Sequence, residues 1–225
     1  MQHKKPTKEE LKEDEVLVAF FKLWNYAELN YPRILAGIGV VVVVVLIGVF
    51  IRNYQAQQEI DAQSALGEVD IALLQGAPED ALVRAEQVAG KYGGKAAAKY
   101  AQIAVANIHF ESERYAEAQA AFQQYLDDHG SEGPTGFGAV NGLAASLESQ
   151  QLFSEAAARF LAYADAFGNT PFAPIALKEA ARCFKIADDV PKAESLYRRI
   201  IEDYPESNVA RTAKSELRFL GFNVD

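Results

Sequence analysis

The chain contains 225 residues, of which 50% are hydrophobic and 24% are charged, and its formal net charge is −9. An acidic chain has no electrostatic reason to bind nucleic acid, so nucleic acid is not an expected partner. One cysteine excludes an internal disulfide, and three histidines without an i, i+4 pair or a Cys-x-x-Cys motif predict no zinc site. We therefore predict no metal, no cofactor and no enzymatic activity; no small-molecule substrate is evident, and proteins are the expected partners.

The composition of the amino-terminal segment changes near residue 14, from densely charged to mainly apolar and aromatic. Residues 1–13 are densely charged and are predicted to form a disordered cytoplasmic tail. Residues 14–31 read DEVLVAFFKLWNYAELNY, with apolar and aromatic side chains at helical spacing. This pattern predicts an amphipathic helix on the membrane surface. A second interpretation, that the same helix docks on a membrane partner, stays open.

Residues 34–51 read ILAGIGVVVVVVLIGVFI and contain no charge. Eighteen helical residues extend for about 27 Å, close to the thickness of a hydrocarbon core. A secretory signal has a shorter apolar run and a short basic start, whereas more than thirty residues precede this run. We predict an uncleaved transmembrane helix. The expected membrane-interface residues are Phe20, Phe21, Trp24, Tyr31, Arg33, Arg52 and Tyr54.

The distribution of positive charge predicts the orientation of this helix. Six Lys or Arg residues precede residue 34, whereas only Arg52 lies between the span and Arg84. The basic side of a span normally stays in the cytoplasm. From residue 53 onward there are 15 basic and 25 acidic residues, a formal charge of −10, and this part is expected outside the cytoplasm.

Residues 57–225 contain an internal repeat. Ala81, Ala118, Ala156 and Ala193 are separated by 37, 38 and 37 residues, inside four segments that share a helical pattern. A bulky residue follows the alanine by four positions in three segments, at Phe122, Phe160 and Tyr197, with Ala85 in the first. Larger residues follow by seven positions in all four: Val88, Tyr125, Tyr163 and Ile200. A Gly or Pro ends each segment: Gly93, Gly130, Gly168 and Pro205. Small residues allow paired helices to approach closely, and stacked pairs bury a shared core. The pattern predicts an all-α stack of about four helix pairs with a capping helix at the carboxyl end.

The last unit, ALKEAARCFKIADDVPKAESLYRRIIEDYPESN, resembles the tetratricopeptide repeat through Ala181, Ala193, Tyr197 and Pro205. The resemblance implies a right-handed α-solenoid that binds proteins. The period is longer than the family's usual repeat of about 34 residues, and Gly replaces Pro in three units. The first unit also departs from the motif, with Val69 at the small position.

The layout of a short tail, one span and an acidic repeat domain resembles the YfgM-type family, ancillary subunits of the SecYEG translocon. This resemblance implies a single-pass protein of the bacterial inner membrane, with a cytoplasmic amino terminus and periplasmic repeats. It also implies an adaptor beside the translocon that hands clients to periplasmic chaperones. An alternative stays open: a structural subunit of a large inner-membrane complex, held mainly by its amino-terminal helices.

The repeat resemblance implies a concave groove lined by the first helix of each pair. The implied partner-binding residues are Leu66, Asp70, Leu73, Leu74, Tyr100, Ile103, Asn107, Phe110, Asn141, Lys178, Arg182 and Lys185, with Glu111 and Glu148 beside them. This groove would be apolar near the membrane and basic at its far end. The apolar members could bind a peptide or belong to the core, and the three cations could contact an anion or balance Asp188, Asp189 and nearby glutamates.

Three further features have structural interpretations. His109 and Cys183 fall inside predicted helices and are expected to be packing residues, the thiol inert. The glycine-rich stretch HGSEGPTGFG, residues 129–138, is expected to be a loop between repeats because it lacks the GxxxxGK[ST] spacing of a phosphate-binding loop.

Overall fold

The computed structural model describes residues 8–224, and within them every regular element is an α-helix. The helices are α1 Lys8–Leu74, α2 Pro78–Lys91, α3 Ala96–Glu111, α4 Tyr115–His129, α5 Gly133–Ser149, α6 Phe153–Ala166, α7 Ala173–Ile186, α8 Val190–Asp203 and α9 Asn208–Phe219. The predicted all-α fold is confirmed. The chain divides into two units at residues 57 and 58.

The described part of the first unit, residues 8–57, lies within α1. The helix begins at Lys8, inside the segment predicted to be disordered, where lysine, glutamate and leucine all favour helix formation. Residues 1–7 lie outside the described part of the chain. The predicted surface helix at 14–31 and the predicted span at 34–51 are one continuous helix, which runs through Pro32 without a break.

Helix α1 is long and apolar enough to cross a membrane, and no side chain of its most apolar stretch is buried. Length and composition alone make it a candidate span. The aromatic side chains before the span are exposed, and the rings of Phe20 and Trp24 stack with their centroids 6.3 Å apart. Exposed apolar surface on this scale is typical of segments that contact a membrane or a partner.

In the second unit, residues 58–225, successive helices pack against one another along the chain. The carboxyl-terminal part of α1 pairs with α2 through Val69, Ala81 and Ala85. The remaining pairs are α3–α4, α5–α6 and α7–α8, and α9 packs on the last pair. This order agrees with the predicted four pairs and capping helix.

The small residues of the repeat lie where paired helices cross. Ala81, Ala118, Ala156 and Ala193 are all fully buried, and so are Ala106, Ala144 and Ala181 on the facing first helices. The aromatic and aliphatic residues four and seven positions after each crossing alanine are at most 4% exposed. Val69, which takes the place of the small residue in the first repeat, is fully buried as well. Bulky side chains therefore fill the space between helices that the alanines bring close together.

Each turn inside a helix pair has the same backbone conformation. Gly76, Glu113, Gln151 and Asp188 all have φ between 59° and 72°, in the left-handed region. The residue after each of them donates its backbone N–H to a carbonyl five residues earlier, at 2.9–3.0 Å. This is the Schellman arrangement that ends an α-helix, and it recurs at the spacing of the repeat. Of these four turns, only the one in the first repeat uses glycine, Gly76. The other three residues adopt a conformation that costs a non-glycine residue energy.

The loop expected over residues 129–138 is shorter in the structure. Helix α4 ends at His129 and α5 begins at Gly133, so only residues 130–132 connect them. Pro134 lies in the first turn of α5, where its missing N–H is tolerated. A Cβ at Gly136 would overlap the backbone of Ser131, so this glycine allows the close return of the chain.

We expect glycine to have opposite effects at two neighbouring glutamates. Glu113→Gly should stabilise the fold by up to about 1 kcal/mol, because glycine adopts the left-handed conformation without strain. Glu111→Gly, the matched control, lies in helical backbone at the end of α3 and should cost about 1 kcal/mol. Thermal unfolding followed by circular dichroism measures both variants, and a lower Tm for Glu113→Gly would contradict the turn assignment.

Candidate functional site

A groove of about 550 Å³ lies on the face made by the first helices α3, α5 and α7. Its lining residues share two properties: most are uncharged, and the members on α5 are small or polar. They are Asn107, Phe110, Phe122, Gly138, Asn141, Gly142, Ala145, Glu148, Ser149, Phe160 and Arg182. This volume falls in the range of protein ligand sites.

Part of the predicted groove is brought together here. Asn107, Phe110, Asn141 and Arg182 line it, as does Glu148. The other predicted residues lie outside it: Leu66, Asp70, Leu73, Leu74, Tyr100, Ile103, Lys178 and Lys185. Partner binding by any of the twelve stays a prediction.

Among the predicted residues outside the groove, the apolar ones fall into two groups. Leu66 and Ile103 are half-buried and pack against the hydrophobic clusters of the repeats, which favours a role in the core. Leu73, Leu74 and Tyr100 are exposed, at 36%, 87% and 56%.

The floor of the groove consists of two phenylalanine rings from the second helices. Phe122 of α4 and Phe160 of α6 are each 2% exposed, yet both reach the groove lining. They do so because α5 contributes the small residues Gly138, Gly142 and Ala145 to the lining, beside its polar members. A Cβ at Gly142 would overlap the ring of Phe122, whereas a Cβ at Gly138 would meet no atom within 4 Å. Gly142 therefore accommodates the floor, and Gly138 leaves open space.

Sequence reasoning missed this floor. Phe122 and Phe160 occupy the interior register of the repeat, and burial was the expected outcome for both. The available signal was the spacing of Gly138, Gly142 and Ala145, at i, i+4 and i+7 on one helix face. A helix face without side chains lets the residues beneath it reach the surface.

One ion pair closes the α7 end of the groove. Arg182 donates Nη1 to Glu148 Oε2 at 2.9 Å and Nη2 to Glu148 Oε1 at 2.7 Å, a two-point contact between α7 and α5. Its Nε donates to Glu179 Oε2 at 2.7 Å. Glu179 also pairs with Lys178, with 2.8 Å between Nζ and Oε1. The two cations, Lys178 and Arg182, are therefore neutralised by the two carboxylates, Glu148 and Glu179.

The predicted basic stripe is thus partnered along its whole length. Its third member, Lys185, pairs with Glu216 of α9 at 2.6 Å. The partners are three glutamates, Glu179 of α7 itself, Glu148 of α5 and Glu216 of α9. Asp189, one of the predicted partners, pairs with Lys192 instead. An external anion would have to compete with three internal carboxylates for these cations.

The pKa values of Arg182 and Glu179 are shifted by their hydrogen bonds. Hydrogen bonds to Glu148 raise the pKa of Arg182, and they outweigh the opposing effect of burial. Burial acts to raise the pKa of Glu179, but hydrogen bonds from Lys178 and Arg182 prevail and hold that pKa below its ordinary value. Because the folded-state pKa is lowered, Glu179 contributes stability above its unfolded-state pKa, and this contribution is lost as the pH falls through the folded-state value.

Cys183 and His109 occupy positions consistent with packing. The Cys183 thiol is fully buried and donates to Glu148 Oε1 at 3.4 Å. Burial raises the pKa of this thiol to about 12, so it stays protonated near neutral pH and is a poor nucleophile. His109 is half-buried, and its Nδ1 has no hydrogen-bond partner among the described residues. Among the residues that the structure describes, no group of three or more His, Cys, Asp or Glu side chains could hold a metal ion.

Comparisons with known proteins agree on the fold. Residues 25–158 match the tetratricopeptide repeat-like domain family. No curated protein matches the sequence significantly. Among solved structures, MamA from Desulfovibrio magneticus RS-1 is 16% identical with a TM-score of 0.51, over 71% of this chain and 83% of that one. A tetratricopeptide repeat protein from Parabacteroides merdae is 13% identical with a TM-score of 0.52, over 68% of this chain and 57% of that one. Identities this low show a shared helical-repeat fold and nothing finer.

We expect alanine to act differently at two glycines of the groove. Gly142→Ala should displace the buried ring of Phe122 and destabilise the protein by about 1–3 kcal/mol. Gly138→Ala adds a methyl group to open space in the same helix and should stabilise it by up to about 1 kcal/mol. Urea unfolding of the two variants measures the difference, and equal midpoints would show that the ring does not depend on Gly142.

Proposed function

The chain belongs to the tetratricopeptide repeat-like domain family, and from this membership we propose that it is a membrane-anchored adaptor that binds other proteins in the groove of its repeats. The observation that carries the proposal is the groove between α3 and α7, with its aromatic floor. The proposal assigns no enzymatic activity and no cofactor to the chain.

The chemistry of the groove suits an extended segment of a partner protein. Asn107 and Asn141 are exposed on neighbouring first helices, and a side-chain amide can both donate to and accept from a peptide group. The rings of Phe122 and Phe160 offer an apolar surface between them. Main-chain contacts would supply affinity, and the apolar floor would select side chains.

In this proposal α1 anchors the adaptor in the bacterial inner membrane. The residues before the span lie in the cytoplasm and the repeats lie in the periplasm. The support is the excess of Lys and Arg before residue 34 and the acidic character after it. The finer proposal, an ancillary role at the Sec translocon and in periplasmic folding with chaperones, rests on the resemblance of this layout to the YfgM-type family.

A second candidate function is favoured by the exposed surface of α1. Phe20, Phe21 and Trp24 are each more than half exposed, and they precede an apolar stretch with no buried side chain. Such a surface could hold the chain in a large inner-membrane complex as a structural subunit. In that case, partner binding would follow the membrane segment instead of the groove.

The test compares three variants of the full-length chain by crosslinking and capture from native membranes. One replaces residues 14–54 with an unrelated single span. Gly138→Leu fills the groove, and Gly90→Leu is its matched control, because it also adds a side chain to open space on a helix but lies outside the groove lining. We expect the span replacement and Gly90→Leu to keep the partners and Gly138→Leu to lose most of them.

The opposite pattern would reject the adaptor. If the span replacement loses the partners while Gly138→Leu keeps them, the amino-terminal helices carry recognition and the structural-subunit function is correct. Circular dichroism of each variant checks that the helical fold is retained.

The orientation of the chain in the membrane is tested separately. With an epitope tag at each end, protease added to spheroplasts should remove the carboxyl-terminal tag and spare the amino-terminal one, because the repeats face the periplasm. Inverted membrane vesicles should show the reverse. Loss of the amino-terminal tag in spheroplasts would overturn the proposed topology.

A further inference from the structure

The groove has an uneven charge pattern that bears on what it can hold. Of the described residues that line it, the two charged ones, Glu148 and Arg182, neutralise each other through the two-point contact. Lys178 and Lys185 are paired with Glu179 and Glu216. None of the cations of α7 that the sequence placed in the groove is left without a carboxylate.

One carboxylate near the groove, that of Glu111, has no such ion pair within the described part of the chain. Glu111 ends α3, one turn after Asn107, and is exposed. It lies five residues after the crossing residue Ala106, as Ser149 lies five residues after Ala144, and Ser149 lines the groove. Among the described residues Glu111 has no ion-pair partner. Glu111 is not one of the residues that line the groove, but its position one turn after Asn107 places an unpaired carboxylate beside the α3 edge.

The open space of the groove lies above the aromatic floor. Gly138 leaves room for at least one side chain over Phe122 and Phe160, with Ala145 one turn beyond Gly142. A polar side chain placed there would lose water without gaining a partner from the rings. An aliphatic or aromatic side chain would gain the burial energy of its apolar surface.

We propose that the groove recognises an extended peptide segment in which an apolar side chain seats over Phe122 and Phe160 and a nearby basic side chain pairs with Glu111. The proposal rests on the adaptor function above and names the chemistry of its partner. It is supported by charge complementarity, since the chain from residue 53 onward has a formal charge of −10. An acidic segment meets Glu111 and finds each cation of α7 already paired.

The test uses the full-length chain in lipid nanodiscs and four fluorescent peptides on one neutral, polar background. They carry Leu with Lys, Leu with Glu, Leu with Gln, or Ser with Lys. Fluorescence polarisation measures their dissociation constants. We expect the Leu–Lys peptide to bind at least about 10-fold more tightly than Ser–Lys, because the seated Leu is buried. Leu–Lys should bind about 3- to 10-fold more tightly than Leu–Glu at low salt, and this ratio should shrink as salt screens the charges.

Two variants and one control variant connect these preferences to the residues. Gly138→Leu should abolish binding of every Leu peptide, while Gly90→Leu leaves it unchanged. Glu111→Gln should remove the preference for Lys over Gln and keep the preference for Leu over Ser. This isosteric change leaves the helix intact, so a loss of preference reports charge and not unfolding.

The outcomes separate the two proposals. If Leu–Glu or Ser–Lys binds as tightly as Leu–Lys and Gly138→Leu still blocks binding, the groove binds peptides but the proposed chemistry is wrong. If no peptide binds, the proposed chemistry is also wrong, and the adaptor function is decided separately by the capture of partners from membranes. Retention of the Lys preference in Glu111→Gln would remove the role assigned to that carboxylate.

Discussion

Close approach of paired helices at an alanine is the contact on which the repeat domain depends. Ala81, Ala118, Ala156 and Ala193 are each fully buried against the preceding helix. A larger side chain at a crossing would force the two axes apart and separate the bulky residues that pack one and two turns later. A pair cannot bury its own apolar face, so the main core runs from α3 to α9 through shared side chains such as Phe160 and Tyr197.

The groove also depends on small residues, here on the face of α5 that borders it. Where α5 turns toward the groove it carries Gly138, Gly142 and Ala145, and the rings beneath are reached from outside. Phe122 is thus both a core residue and part of the groove lining, which shows how a ring that is only 2% exposed can border a groove.

Features that repeat in residue type could be predicted from the sequence, whereas features that repeat only in backbone conformation, or that depend on single contacts, could not. The crossing alanines recur at 37 or 38 residues, and that period identified the helix pairs. The recurring left-handed residue was missed, since only Gly76 of the four has the side chain that marks such a turn. The continuous helix through Pro32 was missed because proline normally interrupts a helix, and one sequence does not show when it is tolerated.

The charge of the groove shows why residue type alone misleads. Lys178, Arg182 and Lys185 form a basic stripe in the sequence, but each is matched by a glutamate of the same or another helix. Arg182 and Glu148 are 34 residues apart, about one repeat, so their neighbouring first helices bring them together. Stacking of repeats therefore affects the charge of the groove: Arg182 of α7 is neutralised by Glu148 of the preceding repeat, whereas Glu111 has no ion-pair partner among the described residues.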